Sequence, residues 1–168
     1  DGANLLDVIE LRPRAALLLE GVYADRPDVR DLLRVLEVRL ETTSEEAERR
    51  ELTARVAELT FDKIGNDHAS LDAYARLVPL APEDTTARQR LIALGQKLTL
   101  RSKLADVLDV AVQRVTDRDL KAEMLTELGV EREAAGENTK AESAYRRMLE
   151  LDREDAHDFY KNIRMFGH

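Results

Sequence analysis

The chain has no cysteine and no tryptophan, and only three phenylalanines and four tyrosines in 168 residues. Without cysteine there can be no disulfide, thiolate metal site or thiol nucleophile, and the compartment stays open, with the cytoplasm favoured. Glycine (7) and proline (4) are scarce, and no alternating run of β-branched residues reaches strand length, so no sheet is expected. Positive charge is short as well. A net charge of −8 works against binding to a phosphate backbone, which needs a basic surface, and nucleic acid is not an expected partner. No stretch approaches the roughly 20 apolar residues that span a bilayer, and the start DGANLLDVIEL lacks the basic opening and apolar centre of a signal peptide. The chain therefore reads as soluble, without membrane insertion.

Catalytic signatures are missing too. There is no phosphate-cradling glycine loop, no Gly-x-Ser-x-Gly elbow and no His-Glu-x-x-His helix. His68 in GNDHAS and His157 in REDAHDF stand beside carboxylates, but neither has a second histidine placed to share a metal, so both read as solvated turn and cap residues. His168 is terminal. No catalytic residue, metal or cofactor is expected, and the chain does not read as an enzyme. Carboxylate pairs such as Glu127 with Glu131 read as chance neighbours on acidic helices. The run Glu48-Arg49-Arg50-Glu51 reads as a solvated face with i,i+4 pairing.

What the sequence has in quantity is alanine, leucine, glutamate and arginine, with 43% hydrophobic and 36% charged residues, which favours helices throughout. A chain of this length fits one domain that buries roughly 68–70% of its unfolded surface. It also resembles itself. Leu94-Gly95 and Leu128-Gly129 lie 129 − 95 = 34 residues apart. A mid-helix glycine costs about 1 kcal/mol relative to alanine, so each is expected to permit close helix packing. Gly65 and Tyr74 repeat as Gly136 and Tyr145, 71 residues on. Outward from these anchors, helix-turn-helix units open near Pro13, Glu51, Arg88 and Ala122, spaced 38, 37 and 34. Leu33, Leu36 and Leu40 share one helical stripe, as do Ala141, Tyr145, Met148 and Leu149. Thr43-Ser44-Glu45-Glu46 offers a capping box that predicts a helix of nearly 20 residues.

The last unit, AEMLTELGVEREAAGENTKAESAYRRMLELDRED, resembles a tetratricopeptide repeat through Leu125, Leu128, Gly129, Gly136, Ala141, Tyr145 and Met148. The second matches through Phe61, Gly65, Tyr74 and Pro82, the first through Tyr23, Leu32 and Leu36, and the third through Leu91, Leu94, Gly95 and Leu98. The resemblance implies an all-α, right-handed α-solenoid of stacked antiparallel helix-turn-helix repeats, with about ten helices in one domain. Repeats are expected near 13–50, 51–87, 88–121 and 122–154. Residues 1–12 read as the end of a preceding helix and 155–168 as a cap or next-repeat helix, so the chain is expected to belong to a longer array. Arg39 and Arg114 depart from the pattern where a small residue is usual. Pro27 stands at a turn that is often glycine, Arg153 replaces a closing proline, and Pro79 falls in the last turn of a helix. Tyr23, Phe61, Tyr74 and Tyr145 are expected in the core.

Function follows from the same resemblance: a non-catalytic scaffold that binds a protein or peptide in the concave groove of its first helices. The groove is expected to present Arg55, Leu59, Lys63, Gln89, Ile92 and Gln96, suited to an acidic or amide-rich extended peptide. Leu59 and Gln96 stand where a carboxylate clamp needs asparagine, so that clamp is not expected. Glu123, Glu127 and Glu133 turn the far end acidic. The alternative is a structural spacer or self-associating segment of a longer array, using exposed ends near Leu5 and Phe159.

Overall fold

A computed structural model describes residues 12–24 and 28–166, apart from the side chains of 22–24 and 166. Among the described residues all regular structure is helical. The eight helices are α1 (Arg12–Ala24), α2 (Val29–Thr42), α3 (Glu46–Leu59, running on through Thr60–Ile64), α4 (Asp67–Leu77), α5 (Thr85–Lys97), α6 (Arg101–Val112), α7 (Arg118–Ala134) and α8 (Asn138–Phe166). Residues 1–11 of the expected helix end, with Leu5, lie outside the described residues, as do Pro27 and the side chain of Tyr23, while Arg12 begins α1.

Short polar sequences set the helix starts. Asp28, Asn66, Asp84 and Asp117 precede α2, α4, α5 and α7, and each side chain accepts a bond from a backbone N–H of the first turn. The start of α3 is made differently from the capping box read in the sequence. Glu45 caps without a side-chain bond, while the Thr43 hydroxyl accepts from Glu45 N and donates to Glu48, not Glu46. Gly65 and Gly136 end α3 and α7 at φ of +70° and +78°, a left-handed conformation that L side chains resist.

Each helix packs chiefly on those before and after it in the chain. Connections this short turn consecutive helices back on one another as antiparallel neighbours. The core is correspondingly serial. Ala15, Ala16, Val35 and Val38 join α1 to α2; Leu32, Leu36, Leu40, Leu52 and Val56 join α2 to α3; a larger cluster runs on from Ala57 to Ala144. Within it, Gly95 and Gly129 sit where a second helix comes close. A Cβ on Gly95 would stand 2.8 Å from Leu104 Cβ, and one on Gly129 would overlap the Tyr145 ring.

Phe61 lies 95 − 61 = 34 residues before Gly95, in the place the glycines hold in α5 and α7. A phenyl ring does not fit between two helices at that distance. Here the end of α3 opens into a π turn, Thr60–Ile64, closed by Gly65 N donating to Thr60 O. Phe61 swings to 36% exposure, against the expectation that it is core. It meets the buried Tyr74 edge-on, ring centroids 6.0 Å apart, and the Arg90 guanidinium stacks 4.3 Å above it.

Two further expectations are corrected at the ends of helices. Pro79 is beyond α4, which stops at Leu77, because proline cannot continue the hydrogen-bond ladder. Residues 155–166 form no separate helix. They prolong α8 to 29 residues, since neither glycine nor proline interrupts the run from Asn138. Every described side chain from Asp152 to Met165 is exposed, including Phe159 (62%), Tyr160 and Ile163. Leu149 also faces outward, unlike its stripe partners Ala141, Tyr145 and Met148.

Candidate functional site

Side chains tie α1 to α3 and α5 to α7. Glu20 on α1 accepts bonds from Arg55 on α3 and from Arg39 on α2. Arg88 on α5 donates to Glu127 Oε2 at 2.8 Å and Glu123 Oε1 at 3.0 Å on α7, and to Pro82 O at 2.8 Å. Gln96 Nε2 donates to Glu131 Oε1 at 2.6 Å, and Arg101 binds the other oxygen at 2.9 Å. Arg132 meets Asp106 at 2.7 Å and Glu137 at 3.1 Å. Arg88, Glu131 and Arg132 are 1%, 2% and 4% exposed, so these are interior charges held by partners.

The expected groove residues fare unequally. Arg55 is half-exposed and engaged with Glu20, and Gln96 is engaged with Glu131. Leu59 packs partly against the Leu32–Leu36 cluster and Ile92 against the main core. Gln89 and Lys63 are exposed. Lys63 falls within the π turn that continues α3. The acidic end is also different from the one read in the sequence. Glu127 and Glu131 are not chance neighbours: one holds Arg88 and the other is buried. Glu133 accepts from the Tyr145 hydroxyl at 3.2 Å.

Sequence reasoning missed this internal pairing, although a signal existed. Glu20 to Arg55, Arg88 to Glu123, and Gln96 to Glu131 are each 35 residues apart, one step of the self-similarity. Complementary groups at that step join α1 to α3 and α5 to α7. The i,i+4 reading of Glu48-Arg49-Arg50-Glu51 fails for the same reason: Glu48 pairs with Arg39 and Arg50 with Glu83 on the way into α5.

Burial, more than any neighbour, pushes the Glu127 carboxyl above its ordinary range, with Arg88 pulling against it. Glu48 and Glu137 are moved the other way, chiefly by hydrogen bonds from Arg39 and Arg132. A depressed folded-state value stabilises the fold above the ordinary carboxylate range, and that contribution is lost as pH falls through the folded value. The urea midpoint of the wild type should therefore drop below about pH 5. In the variant Glu48→Gln/Glu137→Gln the midpoint should start lower at neutral pH and fall less on acidification. An unchanged slope in the variant would refute this assignment.

No family model matches the chain. No curated protein matches it either. Two solved structures, both crystal structures of MamA, align with 93% of this chain at 17% identity and a TM-score of 0.42, covering 87% and 81% of their own chains. Among the described residues, no three or more histidines, aspartates or glutamates gather so as to hold a metal ion, and no helix is long and apolar enough to cross a membrane.

Proposed function

We propose that the chain is a non-catalytic protein-interaction scaffold of the tetratricopeptide type, a right-handed solenoid of four hairpin repeats near 13–50, 51–87, 88–121 and 122–154. Its ligand is a protein or peptide segment lying along the first helices. The observation that carries the reading is the set of bonds 35 residues apart, Glu20 to Arg55 joining α1 to α3, and Arg88 to Glu123 and Gln96 to Glu131 joining α5 to α7. The Arg90 guanidinium over Phe61 links the end of α3 to α5, and repeat arrays use the surface of helices linked in that order for binding. Arg55, Leu59, Lys63, Gln89, Ile92 and Gln96 are the residues assigned to it. The basic edge at Arg55 and Lys63 and the acidic side chains of α7 call for a ligand whose charge is patterned along its length.

A second reading, a self-associating spacer, is favoured by the uncovered apolar side chains of α8, Phe159, Tyr160, Ile163 and Met165. One experiment separates the two. The chain is used as bait in a lysate of its source cells, beside a bait carrying Arg55→Glu and Lys63→Glu, with captured proteins identified by mass spectrometry and helicity checked by circular dichroism. The scaffold reading expects a partner held by the first bait and lost from the second. Identical captures sink the groove assignment, and recovery of this chain alone establishes the spacer.

A further inference from the structure

A second opening lies at the edge where α2, α4 and α6 end. It is a cavity of about 490 Å³ whose lining includes Leu40, Pro79 and Leu80 together with Arg49, Arg76 and Arg114. Two carboxylates also reach it, and both are already held. Arg76 grips Glu37 through two bonds of 2.8 and 3.2 Å, and Arg12 binds Glu41 at 2.8 Å. Arg49 and Arg114 meet no carboxylate among the described residues. Arg49 Nη2 donates to Thr43 O at 2.9 Å and Arg114 Nη1 to Pro79 O at 3.3 Å, each at the end of a helix. Those bonds offset the partial negative charge of the helix ends and use one of the five N–H donors of each guanidinium. Two forks thus remain among the residues that line the cavity, which also include aliphatic side chains, in a chain of net charge −8.

We propose that this cavity docks an extended peptide segment of a protein partner in which an aspartate or glutamate stands next to a leucine, isoleucine or valine. The carboxylate meets Arg49 and Arg114, whose planar forks match it in two-bond geometry. The aliphatic side chain lies on Leu40, Pro79 and Leu80, and the volume is within the range of sites that enclose small ligands. A bare anion would satisfy the arginines and leave the aliphatic side chains in water. Arg114 and Pro79, both departures from the repeat pattern, thereby gain a shared purpose. The site uses none of the six residues assigned to the first-helix groove, so either assignment can fail while the other stands.

The test is a titration of the ¹⁵N-labelled chain, following the arginine Nε–H signals. Four probes are used: the capped peptides Gly-Leu-Asp-Leu-Gly, Gly-Leu-Asn-Leu-Gly and Gly-Gly-Asp-Gly-Gly, and sodium phosphate. The Leu-Asp-Leu peptide is expected to shift the Arg49 and Arg114 signals saturably, with the other three at least about tenfold weaker, a difference of about 1.4 kcal/mol. Arg49→Gln/Arg114→Gln should weaken that peptide by at least tenfold, and Arg49→Lys/Arg114→Lys, which keeps the charge and the fold, by less. The proposal is overturned by no shift at either arginine in millimolar peptide, by equal affinity for the asparagine peptide, or by undiminished binding to the lysine and glutamine variants. Phosphate binding as tightly as the peptide overturns it too, leaving a simple anion site.

Discussion

Replacing Arg88 with alanine lowers the stability of the chain by about 3–5 kcal/mol, the range for breaking a buried ion pair by removing one partner. It should appear as a shift of the urea midpoint. Among the described residues Arg88 is the largest fully buried side chain, and it ends on two carboxylates of α7 and a backbone carbonyl of the loop before α5. Removing it leaves a cavity, an unpaired Pro82 carbonyl and a Glu127 whose carboxyl burial already pushes up. Adding Glu127→Ala should then cost less than it does alone, with a coupling of about 0.5–3 kcal/mol in the double-mutant cycle. A loss below about 1 kcal/mol for the single variant would mean that water screens the cluster as it does a surface pair.

Gly95→Val should be nearly as damaging, at about 3 kcal/mol, because the added atoms meet Leu104 near its own backbone and α5 and α6 must move apart. The control lies in α1. A Cβ on Gly21 meets nothing within 4 Å, so Gly21→Ala should gain about 0.5–1 kcal/mol from helix propensity alone. Thermal melts of the two variants should therefore move in opposite directions. Movement in the same direction would show that close approach, and not backbone freedom, has been misplaced as the role of Gly95.

The helical character of the chain was legible from composition, and the paired Leu-Gly steps pointed to the places where helices approach closely. Periodicity was informative where a helix has one buried side, as in α2. It was misleading in α8, where Leu149 shares the stripe of Ala141 and Tyr145 but has no neighbour to bury it. Phe61 was misjudged because a one-letter pattern does not show that a helix has widened by a residue. The interior charges were the main omission. Glu131 looks like any surface glutamate until Gln96 and Arg101, which lie 35 and 30 residues away, are set beside it. Of the six residues proposed for the groove, Arg55 and Gln96 have partners within the chain, Glu20 and Glu131.

Neighbour-only packing has a consequence for the making of the chain. No side-chain hydrogen bond among the described residues joins groups more than 40 positions apart, the longest being Arg118 to Asp158. At synthesis rates of about 5–20 residues per second, a charged side chain waits about 2–8 s for its partner to be added. Hairpins can therefore close in order behind the ribosome, and the surface left open at any moment is that of the most recent helix.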